Sequence, residues 1–153
     1  MKTRALHPIT LLIALAGCST NWAEIETFST SSLAAQIREF ERASREHCIR
    51  REGRGQFISA MAHHEKEAAA AMIELLKHPV ADFPPEDAID VLEGVYSRGI
   101  DLRDPETLRL LSSIAATSSD RGVRARAKDA LWRMRTYTPG ERQPPEINGH
   151  PIQ

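Results

Sequence analysis

The chain is poor in aromatic residues, in valine and in cysteine. Aromatics make up 5% of its 153 residues, and Val occurs four times against twenty Ala. Sheets draw on β-branched and aromatic side chains, so this balance argues against a sandwich or barrel and for helices packed through small contacts. Two cysteines exclude a disulfide-dense scaffold. Neither sign of charge dominates: 20 Lys and Arg face 21 Asp and Glu, a formal net charge of −1. A general electrostatic affinity for nucleic acid is therefore not expected. Also missing are a Gly-x-Ser-x-Gly elbow, a phosphate-cradling glycine loop and a paired-carboxylate site. What remains, 41% hydrophobic and 27% charged, reads as one all-α domain with no catalytic residues, no enzyme activity and no cofactor expected of it.

The first residues read as a targeting segment. Lys2 and Arg4 form a positive start with no acidic residue before Cys18. Ile9 to Ala16 is a short apolar run, well below the about 20 residues that cross a bilayer. Leu15-Ala16-Gly17-Cys18 follows directly, and it resembles the lipobox of bacterial lipoprotein precursors. The resemblance implies a signal peptide over 1–17, cleaved between Gly17 and Cys18. It also implies a diacylglyceryl thioether on the Cys18 sulfur and an acyl chain, such as palmitate, on the new α-amine. A thiol is the soft nucleophile such chemistry needs. Two or three acyl chains make a lasting membrane anchor, each buried CH₂ contributing ~0.8 kcal/mol. Ser19, in place of Asp, implies export to the periplasmic side of the outer membrane. Residues 18–30 then read as the lipidated Cys and a polar tether, with Trp22 placed either at headgroup level or against the domain.

Residues 31–135 read as an α-helical domain of about five helices. Leu33, Ile37, Phe40 and Ser44 recur at helical spacing over about 32–51, with Gly53 and Gly55 as the stop and Glu41–Arg45 and Glu46–Arg50 as i,i+4 ion pairs. Phe57, Met61, Ala68, Met72, Leu75 and Leu76 predict one helix over about 56–77, ended by Pro79. Pro85 opens a helix to Arg98, stopped by Gly99, and Asp104 then Pro105 opens another. The last, about Arg121 to Arg135, buries Val123, Ala127, Ala130, Leu131 and Met134. Residues 136–153 hold five of the chain's prolines and glycines between Pro139 and Gly149, with Pro151 beyond, and read as a disordered tail.

A shift of 39 residues lays Met72 on Leu111, Leu75 on Ile114, Ala88 on Ala127, Val91 on Ala130, Leu92 on Leu131 and Val95 on Met134. Two helix-pair units, 65–98 and 104–135, thus share one hydrophobic frame. Asp120-Arg121-Gly122-Val123-Arg124-Ala125-Arg126-Ala127-Lys128-Asp129-Ala130-Leu131 resembles a HEAT-type helical repeat over about 30 residues. The resemblance implies that Asp120 caps the turn and that Arg124 joins a polar ladder between repeats. It points to a short α-α superhelix, with a small helical bundle as the alternative.

Candidate chemistry is sparse. His63, His64 and Glu67 lie close together on the expected 56–77 helix, with His63 and Glu67 at i,i+4; neither a His-Glu-x-x-His nor a paired-Cys zinc motif is present, and no metal is expected. His47 and Cys48 are adjacent and point about 100° apart on a helix, which rules out a facing pair. Cys48 reads as a buried thiol or as half of an intermolecular disulfide. The final helix carries Arg121, Arg124, Arg126, Lys128, Arg133 and Arg135 against Asp120 and Asp129. These cations read first as a solvated outer face; the sharper reading makes Lys128 and Arg135, seven residues apart, a binding face for anionic lipid or an acidic protein. Arg126 lies off the apolar stripe, so reversing its charge is expected to be nearly silent. The expected role is a lipid-anchored helical interaction or scaffold module of the bacterial envelope with a protein partner there. A pilotin-like secretion or conjugation accessory and a periplasmic hydrolase or metal binder are the alternatives.

Overall fold

The computed structural model describes residues 30–45, 51–141, 146–147 and 150–151. Among these the fold is an all-helical bundle of six helices: α1 (Leu33–Arg45), α2 (Arg51–Ala62), α3 (Glu65–Lys77), α4 (Pro85–Ser97), α5 (Pro105–Thr117) and α6 (Arg121–Thr136). Beyond them, β1 (Glu146–Ile147) pairs antiparallel with β2 (His150–Pro151), Ile147 opposite His150. Residues 1–29, with the expected signal peptide and Cys18, and residues 46–50, with His47 and Cys48, lie outside the described residues.

Helices α2, α4 and α6 pack in one row with α4 in the middle, and α3 and α5 lie beside each other against it. Central placement explains why α4 buries seven of its thirteen residues, Asp87, Ala88, Ile89, Val91, Leu92, Val95 and Tyr96. Ala62 and Gly94 bring α2 and α4 so close that a Cβ on Gly94 would stand 2.9 Å from the Ala62 Cβ. Small residues at that crossing let the two backbones approach. At the α2 end, α1 packs on its neighbour through Phe40, which is fully buried with its ring 5.9 Å from Phe57 and 4.9 Å from Phe83. Of the residues matched by the 39-residue shift, Met72 and Leu111, Ala88 and Ala127, Val91 and Ala130, Leu92 and Leu131, and Val95 and Met134 are all buried, Leu75 and Ile114 are both half-buried, and Leu76 is buried where its match Ala115 is half-buried.

Three expectations need correction. The expected 56–77 helix is broken at His63 and His64, whose amides reach back three residues to Ala60 and Met61 carbonyls, and Glu65 adopts a positive φ of 50°. The break separates α2 from α3, so Ala60, Met61, Ala62, Ala68 and Met72 are all buried on two helices running in different directions. Gly53 and Gly55 do not stop a helix; they lie within α2. Each glycine costs about 1 kcal/mol of helix propensity, which burial of Phe57, Ala60 and Met61 outweighs. Residues 137–141 of the expected disordered tail are folded onto α4. Tyr96 Oη donates to the Tyr137 carbonyl at 2.6 Å, and the Gly140 amide donates to the Tyr96 carbonyl at 2.9 Å. Gly140 (φ 81°) and Gly99 (φ 97°) allow the close backbone contact there.

Candidate functional site

The basic face of α6 begins with the turn that starts it. Asp120 Oδ1 accepts from the amides of Gly122 (2.6 Å) and Val123 (3.1 Å), an N-cap that satisfies two orphan donors. Arg124 folds back on the same turn, donating to the carbonyls of Ser118 (2.6 Å) and Ser119 (3.0 Å). Arg124 therefore closes the end of α5 within its own helix pair. In the α3–α4 pair the N-cap is Pro84, which supplies no side-chain bond.

The remaining cations of α6 divide into two groups. Arg126 and Arg133 turn toward α4, where Arg126 Nε stands 3.5 Å from Asp90 Oδ1 and Arg133 Nη1 stands 3.9 Å from Glu93 Oε2. At about 100° per residue, Arg121, Lys128 and Arg135 share the opposite side of the helix. They are exposed, and none has an ion-pair partner among the described residues. The binding-face pair Lys128 and Arg135 thus lies on one surface, and on it stands a residue the sequence reading passed over. Trp132 is 48% exposed, one turn after Lys128 and three residues before Arg135. Its ring packs T-shaped against that of Tyr137, with centroids 5.6 Å apart. The signal was present, because Trp132 falls outside the stripe of Val123, Ala127, Ala130, Leu131 and Met134.

A second feature unread in the sequence is a row of carboxylates on α4. Asp87 is buried and held by both arms of the Arg54 guanidinium from α2. Burial raises its carboxyl above the ordinary range, against the pull of Arg54. Asp90, one turn on, has an Oδ1 shut off from solvent and without a hydrogen bond; burial raises it too, with Arg126 and Arg54 opposing. Glu93 is pushed up to about 7, first by burial, while Arg133 pulls it down and Asp90 and Asp129 add repulsion. These three carboxylates interlock α2, α4 and α6 through partly buried ion pairs.

The structure does not bring His63 and Glu67 together. The helix break separates them, and it is His64 Nδ1 that lies 4.0 Å from Glu67 Oε2. Arg45 likewise reaches Asp82, at 2.8 Å, across to the α3–α4 connection. Among the described residues no group of three or more His, Cys, Asp or Glu is placed to hold a metal ion, and no helix is long and apolar enough to cross a membrane. Compared with models of known protein families, with curated proteins and with solved structures, the chain matches none of them.

Proposed function

We propose that this protein is a lipid-anchored helical interaction module of the bacterial envelope, held by acylated Cys18 and facing the periplasm from the outer membrane. The observation that carries the reading is Leu15-Ala16-Gly17-Cys18 at the end of the apolar run from Ile9, with Lys2 and Arg4 ahead of that run. Acylation of one thiol supplies the anchor, and the chain between Cys18 and Leu33 spans at most about 50 Å when extended. The protein's partner is a second envelope protein.

Metabolic labelling with a fatty acid tests the anchor. The wild-type chain takes up label and Cys18→Ser takes up none, because a hydroxyl does not replace the thiolate in this processing. Label retained on Cys18→Ser refutes the reading. Affinity capture with the acylated protein tests the second half: a stoichiometric envelope protein is the expected result.

A further inference from the structure

The row α2–α4–α6 leaves the outer side of α6 uncovered among the described residues, and that side is not polar in an ordinary way. Of the six cations on α6, Arg124 is committed to the Ser118 and Ser119 carbonyls, Arg126 to Asp90 and Arg133 to Glu93. The three without an ion pair, Arg121, Lys128 and Arg135, recur every seven residues. Seven residues are two helical turns, so their stems leave one side of the helix about 10.5 Å apart. Between the last two stands Trp132, about half exposed.

We propose that this face, Arg121, Lys128, Trp132 and Arg135, lies on anionic phospholipid headgroups and holds the domain flat against the membrane. The inference rests on the lipid-anchor reading for the membrane's being within reach. An evenly spaced line of long flexible cations matches a planar array of phosphates, and indole, with an apolar body and a polar N–H, favours the headgroup level. On this face Trp132 stands between Lys128 and Arg135 with exposed Asp129 on its flank, and three cations against that one acid leave a net positive charge that complements a negative leaflet.

The experiment uses the full acylated chain with Trp22→Phe, which leaves Trp132 as the only tryptophan. The chain is placed in vesicles of phosphatidylglycerol or of phosphatidylcholine carrying brominated acyl chains. Sedimentation with the vesicles reports the anchor; emission and quenching of Trp132 report the face. Expected are a blue shift and strong quenching in phosphatidylglycerol and weak quenching in phosphatidylcholine. About 1 M salt, where the Debye length falls to about 3 Å, abolishes the difference. Lys128→Glu with Arg135→Glu weakens the association by about tenfold or more, while its circular dichroism melt matches the parent's. Equal quenching in both lipids, or quenching untouched by the double reversal, overturns the proposal. So does shielding of Trp132 that appears only when an envelope extract is added, which assigns the face to a protein. A chain that sediments with neither vesicle refutes the anchor alone, and the face is then read from the same Trp132 signal on adding phosphatidylglycerol vesicles to the unacylated chain.

Discussion

Arg126 Nε stands 3.5 Å from Asp90 Oδ1, a carboxylate oxygen sealed from solvent and without a hydrogen bond. A cation on the rim of α6 thus compensates a charge inside the α4–α6 contact. Arg126→Asp replaces attraction with repulsion at a desolvated carboxylate, so it costs about 1–2 kcal/mol and is not the nearly silent change its place off the apolar stripe suggests. Burial holds the Asp90 carboxyl high, so the cost shrinks toward acid as Asp90 takes up a proton. Urea melts of parent and variant measure it; Arg121→Asp, at an exposed position without an ion pair, stays within about 0.5 kcal/mol.

Glu93 gives the fold a pH dependence with a definite sign. Its folded-state carboxyl sits at about 7, above its ordinary 4.5, because burial disfavours the charge. The folded state therefore binds this proton more tightly than the unfolded chain does. The resulting stability is complete below about pH 4.5, falls as pH rises through about 7 and is absent above, on the order of 3 kcal/mol in all. Glu93→Gln removes this slope, so the variant gains on the parent as pH rises from 5 to 8. Parallel slopes in thermal melts of the two proteins would contradict this.

Gly94→Ala tests the α2–α4 crossing. Helix propensity alone would make the alanine stabilising by up to about 1 kcal/mol. The added Cβ meets the Ala62 Cβ at 2.9 Å, and the overpacking costs about 1–3 kcal/mol instead. Adding Ala62→Gly recovers part of the loss, and a double-mutant cycle reads the coupling.

Tyr96→Phe tests the docking of residues 137–141. The substitution removes the phenol's bond to the Tyr137 carbonyl and its longer contact with the Met134 carbonyl, at a cost of about 1 kcal/mol. Amides of Thr138, Gly140 and Glu141 then exchange faster, while those of α3 keep their protection.

Much of the helical fold was legible because burial follows a 3.6-residue period. Val123, Ala127, Ala130, Leu131 and Met134 are all buried, and Asp104 caps α5 by accepting from the Glu106 and Thr107 amides. What escaped depends on tertiary partners that local pattern does not contain. The break before Glu65 has no Gly or Pro to announce it, and Gly53 and Gly55 look like stops until Phe57 and Met61 are seen to be buried beyond them. Tyr96, forty residues away in sequence, supplies the contact that orders the chain after Thr136. Of the candidate face, Lys128 and Arg135 were legible from spacing alone. Trp132 needed the structure, since only a fixed register distinguishes a tryptophan outside the stripe from one at its edge.

Intact mass analysis of the protein extracted from the membranes of an expressing bacterium tests the central claim most directly. The account predicts a chain that starts at Cys18, with its mass raised by a diacylglyceryl group and a further acyl chain. A chain that retains Met1 to Gly17, or one that carries Cys18 as a free thiol, would contradict it.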